Sequence, residues 1–492
     1  MRLLLLSLFF GLLLSGCAVG PDFKSPAAPS VTSYTKGSNP SEITANAKDT
    51  HGATQHLIAK ELPHNWWTMF GSEPLNQMVE LALKNNPNLE SLQQTLLSAQ
   101  QSAYAQEQSL TIPSIDASVK ETKQRFNPAA FGQPSPPSIF SLTNASVNIA
   151  YNLDIFGGIR RQIEAAYAQA DAQAFTYEAA RITLEANVVT TAIKRAAVKT
   201  QIDLTQKIIQ QQEELFHITE LRYQLGAVSQ ADVAVAKESL AKIKNTLPDL
   251  DNQYLRLDHQ LAVYLGQLPS QSNVASLNLA EIKLPQDLPL SVPSELVHQR
   301  PDILVSEAQL HAATAQVGVA LSGEYPAISI NASYGTLSAN PSTVFSRNSA
   351  VWSLSSGIVQ PLFHGGALKA QTEAAQALLK SAALQYQQTV LNAFQNVADS
   401  ISTLETDGQY LNQSYQTYDA TSEQMNLIQQ QFDTGSMSYM QLISAQLHQE
   451  QSAIALSQAK ANRLNDTAAF FLALGGGWSE EAHHPKNNPI EK

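Results

Sequence analysis

The stretch Ile155–Ala174, IFGGIRRQIEAAYAQADAQA, opens the segment that decides the fold. From Ile159 to Leu225 there are 67 residues without a glycine or a proline, and 12 of the 33 residues from 165 to 197 are alanine. Alanine is the residue that most favours a helix interior, whereas glycine and proline disfavour it most. One helix of this length would span roughly 100 Å at about 1.5 Å per residue. It could not bury its apolar face alone, so the stretch predicts packing against other long helices.

The sequence contains this unit twice, about 200 residues apart. The paired motifs are Asn86-Pro87-Asn88-Leu89 with Arg300-Pro301-Asp302-Ile303, Ile112-Pro113-Ser114-Ile115 with Tyr325-Pro326-Ala327-Ile328, Asp154-Ile155-Phe156-Gly157-Gly158 with Pro361-Leu362-Phe363-His364-Gly365-Gly366, and Tyr223-Gln224-Leu225-Gly226 with Phe432-Asp433-Thr434-Gly435. Each copy predicts a helix, two strands around a loop, a very long helix, a glycine and a long return helix. The glycine ends the long helix because it accepts a left-handed backbone. Pro248 predicts a kink in the first return helix.

The N-terminus has the layout of a bacterial secretory signal. Met1-Arg2 is followed by the apolar run Leu3–Leu14, which is too short to span a bilayer. The run ends in Leu14-Ser15-Gly16-Cys17, which contains the only cysteine and resembles the lipobox of bacterial lipoproteins. This resemblance implies cleavage before Cys17, a diacylglycerol on its sulfur and a palmitoyl group on the new amine. The alternative is ordinary signal cleavage, with Cys17 a bystander.

Four segments alternate apolar and polar residues: 114–120, 142–153, 328–334 and 352–358. Strict alternation predicts strands with one apolar and one polar face. A half-exposed soluble sheet would show the same pattern. Next to an outer-membrane lipoprotein signal we favour transmembrane barrel strands. Four strands cannot close a membrane barrel, and open sheet edges are not tolerated in lipid, so we expect several copies to share one barrel.

Composition argues against several functions. The formal net charge is −12 at pH 7, which gives no general attraction for nucleic acid. A single cysteine excludes thiolate metal sites. Gly475-Gly476-Gly477 lacks the lysine of a phosphate loop, and no histidine pair has zinc-helix spacing beside a glutamate. We therefore expect no catalytic residue, no metal site and no cofactor.

Further motifs resemble a known family, the outer-membrane factors of tripartite efflux and secretion systems, in particular the TolC-like channels of the OprM/NodT lipoprotein branch. The motifs are Cys17-Ala18-Val19-Gly20-Pro21-Asp22-Phe23, Trp66-Trp67-Thr68-Met69-Phe70-Gly71, Pro74-Leu75-Asn76, Leu81-Ala82-Leu83, Asn85-Asn86, Phe156-Gly157-Gly158 and Pro361-Leu362-Phe363. The resemblance extends from Cys17 to about Trp478.

The resemblance implies a mainly α fold with a small β part. Long α-helical hairpins would form a coiled-coil tunnel in the periplasm, and four strands per protomer would contribute to a shared 12-stranded β-barrel in a homotrimer. The implied partners are outer-membrane lipid, a periplasmic adaptor protein and an inner-membrane pump of the RND type. The implied function is passive export of drugs, dyes or metal ions, a role in multidrug resistance. Two alternatives are a channel for type I protein secretion and a structural periplasmic coiled-coil lipoprotein without a pore.

Family resemblance also implies where the channel closes and where it docks. Family members carry aspartates a few residues after the second hairpin's glycine, but this chain has Gln441 and Ser444 there, while the first hairpin keeps Asp232. Asp232 is a gate candidate, although it is also a helix-start carboxylate that a helix dipole would favour. The complete set of gate candidates is Asp232, Asp433, Tyr439, Gln441 and Ser444. The expected adaptor-docking tips are Leu225, Gly226 and Ala227 in the first hairpin and Thr434, Gly435 and Ser436 in the second.

The expected organisation follows from these features. It comprises a signal peptide (1–16), an anchored extended segment (17–65), a first repeat (66–265), a linker or equatorial region (266–301), a second repeat (302–474) and a C-terminal tail (475–492). Within the repeats we expect strands at about 114–125, 142–153, 327–338 and 350–361. The helical hairpins are expected at 159–265 and 367–474.

Overall fold

The structure is a computed structural model, and it describes residues 18–478 apart from 38, 44–53, 129–131, 133 and 135. The predicted signal peptide, Cys17 and residues 479–492 lie outside the described residues. The chain folds as two compact units. Unit 1 takes in residues 18–26, Thr95–Ala174 and Val305–Gln387, and unit 2 takes in Ala27–Gln94, Phe175–Leu304 and residues 388–478. Each unit therefore draws segments from both sequence repeats.

The principal elements follow the predicted order. They are β1 (Glu42–Ile43), β2 (Gln55–Ile58), a 3-10 helix (Trp66–Phe70), α1 (Glu73–Asn85), α2 (Pro87–Thr111), β3 (Ser114–Phe126), β4 (Ser138–Leu153), α3 (Gly158–Gln224), α4 (Gln230–Lys244), α5 (Thr246–Tyr264), β5 (Asp287–Pro289), α6 (Pro293–Gln299), α7 (Pro301–Ser322), β6 (Ala327–Ser338), β7 (Ala350–Val359), α8 (Ala367–Asp433) and α9 (Tyr439–Ala473). Among the described residues, no helix is both long enough and apolar enough to cross a membrane.

Unit 1 contains one antiparallel sheet with the strand order β3-β4-β6-β7. The four alternating sequence segments lie in these four strands, and β4 begins at Ser138, four residues before its predicted start. The central pair β4–β6 joins the two repeats, with Ile149 opposite Ala332. Strands β3 and β7 form the two edges, and all their residues are exposed. Each edge strand therefore has one side without a partner strand in the described chain.

The long helices α3 and α8 have 67 residues each. In the first return segment the helix is interrupted at Asn245 between α4 and α5, three residues before Pro248. Proline lacks the N–H that would bond to the carbonyl of residue 244, and its ring clashes with that carbonyl. The helix is thus disturbed at the predicted place, while Asn245 itself keeps helical dihedral angles (φ −69°, ψ −17°). The second return helix, α9, has no proline and is continuous.

Unit 2 has an aromatic core around the predicted Trp-Trp motif. Trp66 and Phe70 are fully buried and contact Phe471, with ring centroids 5.6 Å and 6.3 Å away respectively. The indole N–H of Trp66 donates to Glu185 Oε2 at 3.2 Å. Arg181 Nη1 donates to the other carboxylate oxygen of Glu185 at 2.6 Å. Burial nevertheless raises the pKa of Glu185 to about 7, because the nearby guanidinium and indole only partly offset the loss of water.

Unit 2 also contains a small sheet that the sequence patterns do not predict. Its strands are β1, β2 and β5, in that order, with β1 antiparallel and β5 parallel to β2. It connects the segment predicted as extended (17–65) to the segment predicted as a linker (266–301). Strands of two to four residues are too short for an alternation pattern to reveal them.

Candidate functional site: the two hairpin tips

The first hairpin turns at a glycine in the left-handed conformation. Helix α3 ends at Gln224, and Gly226 has φ of +73°. The N–H of Gly226 donates to the carbonyl of Tyr223 at 2.9 Å, and the N–H of Ala227 donates to that of Arg222 at 2.8 Å. This pair of bonds closes the helix C-terminus and satisfies carbonyls that have no partner within the helix.

The second hairpin repeats this turn in atomic detail. Helix α8 ends at Asp433, and Gly435 has φ of +76°. The N–H of Gly435 donates to Phe432 O at 2.9 Å, and the N–H of Ser436 donates to Gln431 O at 2.9 Å. Both glycines therefore end helices as the sequence indicates, and both hairpins present the same compact tip.

The tips expose the six residues expected at them: Leu225, Gly226, Ala227, Thr434, Gly435 and Ser436. The side chain of Leu225 is notable, because 83% of the residue is exposed. Val235, in the second turn of the return helix, is 62% exposed. An added Cβ at Gly226 or Gly435 would meet no atom within 4 Å, so both turns face open space in this chain. The tips are thus free to contact another protein.

Each return helix begins with a reciprocal capping box. In the first, Ser229 N donates to Asp232 Oδ2 at 2.8 Å, and Asp232 N donates to Ser229 Oγ at 3.3 Å. In the second, Ser438 N donates to Gln441 Oε1 at 3.0 Å, and Gln441 N donates to Ser438 Oγ at 3.3 Å. Asp232 and Gln441 therefore occupy the same position in the two repeats. The signal that could have revealed this role is present in the sequence as Ser-x-x-Asp and Ser-x-x-Gln.

The capping box changes how the acidic gate candidates are interpreted. Hydrogen bonds from the Ser229 hydroxyl and N–H hold the pKa of Asp232 below its usual value, so the group stays ionised. Asp433 accepts a hydrogen bond from Gln429 Nε2 at 2.9 Å, and Ser444 is exposed. Within the described part of the chain, no hydrogen bond or ion pair joins Asp232 to a gate candidate of the second hairpin.

Tyr439 is the gate candidate that links the two hairpins. Its hydroxyl donates to Glu214 Oε1 on α3, and its ring lies 5.4 Å from that of Phe432. The hydrogen bond to the Glu214 carboxylate raises the pKa of Tyr439 to about 12, because the bond holds the phenolic proton. Next to it, Arg222 Nη1 lies 3.1 Å from Met440 Sδ. These contacts bind the start of α9 to the end of α3.

No group of three or more His, Cys, Asp or Glu side chains suited to a metal ion occurs among the described residues.

Comparisons of the sequence with a family model and with known proteins point to one family. The family model described as outer membrane efflux protein matches residues 78–267 and 292–476. The toluene efflux pump outer membrane protein TtgF of Pseudomonas putida is 27% identical over 98% of both chains. The outer membrane protein OprJ of Pseudomonas aeruginosa is 27% identical over 96% of both chains.

Solved structures agree with these sequence relatives. The outer-membrane channel OprN superposes with a TM-score of 0.81 at 25% identity, covering 94% of this chain and 100% of that chain. The CmeC channel of Campylobacter jejuni has the same fold, with a TM-score of 0.83 at 22% identity over 94% of this chain and 96% of that chain. The predicted resemblance, the predicted fold class and the predicted outer-membrane efflux role are confirmed. The chain belongs to the outer membrane efflux protein family, which is a family of transport components.

Proposed function

We propose that this protein is the exit channel of a tripartite efflux pump and that it works as a homotrimer. Small molecules would enter from a periplasmic adaptor and an inner-membrane pump and leave passively. The observation that carries the proposal is the four-stranded sheet with two exposed edges, on a chain whose long helical hairpins end in exposed tips. The resemblance to this family implies that the pump is of the RND type.

The repeat gives the register in which neighbouring copies would pair. Ser114 and Ala327 are equivalent, since each begins the strand that follows a motif proline. Their partners Ala150 and Val359 are then equivalent as well. Within the chain Ile149 pairs with Ala332. The equivalent of Ile149 is Ile358, which precedes Val359, and the equivalent of Ala332 is Val119, which lies as far from Ser114 as Ala332 lies from Ala327. At the free edges, Ile358 of β7 should therefore lie opposite Val119 of β3 in the next copy.

That register keeps apolar residues on one face. Ile358 and Val119 are both apolar and highly exposed in the single chain, and a slip by one residue would place each opposite a side chain on the other face. Closure of the edges by three copies would remove every unpaired strand, which lipid requires.

A disulfide trap tests the trimer. Cysteines replacing Val119 and Ile358 should form covalent dimers and trimers under mild oxidation, because opposite residues of antiparallel strands lie about 4.5 to 5.5 Å apart. Cysteines replacing Val119 and Val359 are the matched control, since position 359 lies on the other face. Cross-linking of the control pair but not of the first pair would overturn the register. Failure of both pairs in outer-membrane fractions would overturn the shared sheet.

Lipid attachment at Cys17 is a separate part of the proposal, supported by the lipobox-like sequence. Labelling with radioactive palmitate should mark the wild-type protein and not the Cys17→Ala variant. Label that persists in the variant would contradict the assignment.

Docking of the adaptor at the tips is supported by their exposure. A photo-reactive amino acid at Gln230, next to the first tip, should capture the adaptor of a small-molecule pump in living cells. The same group at the exposed Lys369 of unit 1 is the control and should not. Capture of an adaptor encoded with a protein-export ATPase would favour type I secretion instead. Capture of copies of the same chain alone would contradict docking at this tip.

A further inference from the structure

The first described residues of the chain, Ala18–Phe23, are bound to unit 1 along their whole length. They come directly after Cys17. The N–H of Val19 donates to Phe156 O at 2.9 Å, at the turn between β4 and α3. The segment therefore starts against the place where the sheet passes into the long helix, and it does not hang free.

Arg161, in the first turn of α3, holds the middle of the segment. Its side chain is only 6% exposed. Its Nη2 donates to Asp22 Oδ1 at 2.5 Å, and its Nε donates to Val19 O at 3.3 Å. A weaker contact at 3.5 Å joins Nη2 to Gly20 O.

The remaining donor group of Arg161, Nη1, binds Glu164 Oε2 at 2.8 Å. If the segment left, Arg161 would keep this carboxylate and would lose its bonds to Val19, Gly20 and Asp22. The arginine and the segment therefore stabilise each other's position through charge-assisted hydrogen bonds.

The floor of the site is made of glycines, which allow the segment's backbone to lie directly on other backbone. A Cβ on Gly157 would come within 2.5 Å of the Ala18 Cα, and a Cβ on Gly318 of α7 would come within 2.8 Å of Val19 O. A Cβ added to Gly20 of the segment would likewise come within 2.5 Å of the Gly318 Cα. Larger residues would hold the segment away from the site.

The far end of the segment is held by a ring contact. Phe23 stacks on His311 of α7, with centroids 4.3 Å apart and planes 16° apart. His311 Nε2 lies 2.9 Å from Glu164 Oε1. Glu164 thus connects the arginine that binds Asp22 to the histidine that supports Phe23, and the contacts form one continuous network.

We propose that Gly157, Arg161, Glu164, His311 and Gly318 form a binding site for the chain's own mature N-terminal segment, Ala18–Phe23. The site recognises a small residue, a glycine, a carboxylate and an aromatic ring in fixed order. Ala18, the residue that follows Cys17 in the sequence, is held at the strand-to-helix turn. Where the lipid assignment of Cys17 holds, the site therefore fixes the residue next to the lipid-bearing cysteine.

Trypsin cleavage at Lys24–Ser25 tests the site in the full-length protein in detergent. Lys24 is exposed, but we expect trypsin to cut the Lys24–Ser25 bond readily only when the segment has left its site. The cleavage rate then reports the fraction of molecules whose segment is detached. Asp22→Asn should raise the rate by up to about fivefold, since it removes a charge-assisted hydrogen bond whose carboxylate is exposed. Arg161→Ala should raise it further. Lys369→Ala is the control, because Lys369 is an exposed cation of unit 1 that pairs with Glu373 on its own helix, and its rate should stay within about twofold of wild type.

Free peptides that carry each substitution correct for any direct effect on the protease. Asp22 lies on the surface, with its side chain 84% exposed, so Asp22→Asn remains informative if Arg161→Ala fails to fold. Equal corrected rates for wild type, Asp22→Asn and Phe23→Ala would overturn the proposal, as would a wild-type rate equal to that of the free peptide. The readout depends on neither lipid, pump nor trimer, so it can fail while the proposed channel function stands, and the reverse.

Discussion

Replacing the gate candidate Tyr439 by phenylalanine should weaken the contact between the two hairpins. The substitution removes one hydroxyl and leaves the ring, which keeps its contact with Phe432 at a centroid distance of 5.4 Å. The lost interaction is the hydrogen bond to the Glu214 carboxylate, which joins the second hairpin to the first. The free energy that holds the hairpins together should therefore fall without a change in packing.

The size of the effect follows from the setting of the bond. Hydrogen bonds to charged groups contribute about 1.5 to 3 kcal/mol when buried, and this one is exposed, so about 1 kcal/mol per copy is appropriate. If three copies open together, the sum is about 3 kcal/mol. Since about 1.4 kcal/mol is a factor of ten, the closed-to-open ratio should fall on the order of 100-fold.

Conductance of purified protein in planar lipid bilayers measures this ratio as the fraction of time open. Tyr439→Phe and Glu214→Ala should each raise it, and the double variant should raise it no further, because both remove the same bond. Tyr223→Phe is the matched control at the end of α3. If the double variant raised the open fraction by the sum of the two single effects, or if Tyr439→Phe had wild-type conductance, the Tyr439–Glu214 bond would not be what holds the hairpins together.

Three further predictions concern stability, each read as the thermal midpoint of the protein in detergent. Burial raises the pKa of Glu185 to about 7, so the folded state binds the carboxyl proton more tightly than the unfolded state does. The resulting stabilisation is complete below about pH 4.5 and is lost as the pH rises through 7. Glu185→Gln should remove this pH dependence of the midpoint. Burial and the hydrogen-bonded neighbour Asp466 likewise raise the pKa of Asp407 to about 7. Asp407→Asn should therefore flatten the loss of stability between about pH 4 and 7, and an unchanged slope would contradict the raised pKa of Asp407. Gly266→Ala should lower the midpoint by several degrees, because its added Cβ would clash with a backbone carbonyl oxygen, that of Asn85. Gly226 has a similar positive φ but faces open space, so Gly226→Ala should lower the midpoint far less. Equal shifts for the two variants would show that backbone strain alone is responsible.

Elements with a local pattern could be predicted from the sequence, and elements that depend on distant residues could not. The alternation around Ile149 indicated β4, and the glycine-free run after Gly158 indicated α3, because strand and helix periods are properties of neighbouring residues. The small sheet of unit 2 was missed since Gln55–Ile58 is too short for periodicity. The interruption before Pro248 was predicted, because a proline removes a helical hydrogen bond at a fixed distance from itself.

The candidate site shows the same division. Gly226 and Gly435 were recognised as helix ends, because a local backbone conformation demands glycine there. Asp232 was predicted either as a gate candidate or as a helix-start carboxylate, and its spacing from Ser229, which encodes a capping box, supports the helix-start role. The contact of Arg161 with Asp22 could not be predicted, because 139 residues separate the two positions and no local pattern connects them.

The two hairpin tips share a backbone shape but not a charge pattern. In the first hairpin the carboxylate follows the turn, in the capping box at Asp232, where the second hairpin has Gln441. In the second hairpin the carboxylate precedes the turn, at Asp433, where the first hairpin has Gln224. A trimer built from this chain would therefore carry negative charge at both kinds of tip, but on opposite sides of the turn. The duplication of the sequence has thus kept the shape of the tip while moving its charge, and a partner that contacts every tip would meet two different electrostatic surfaces.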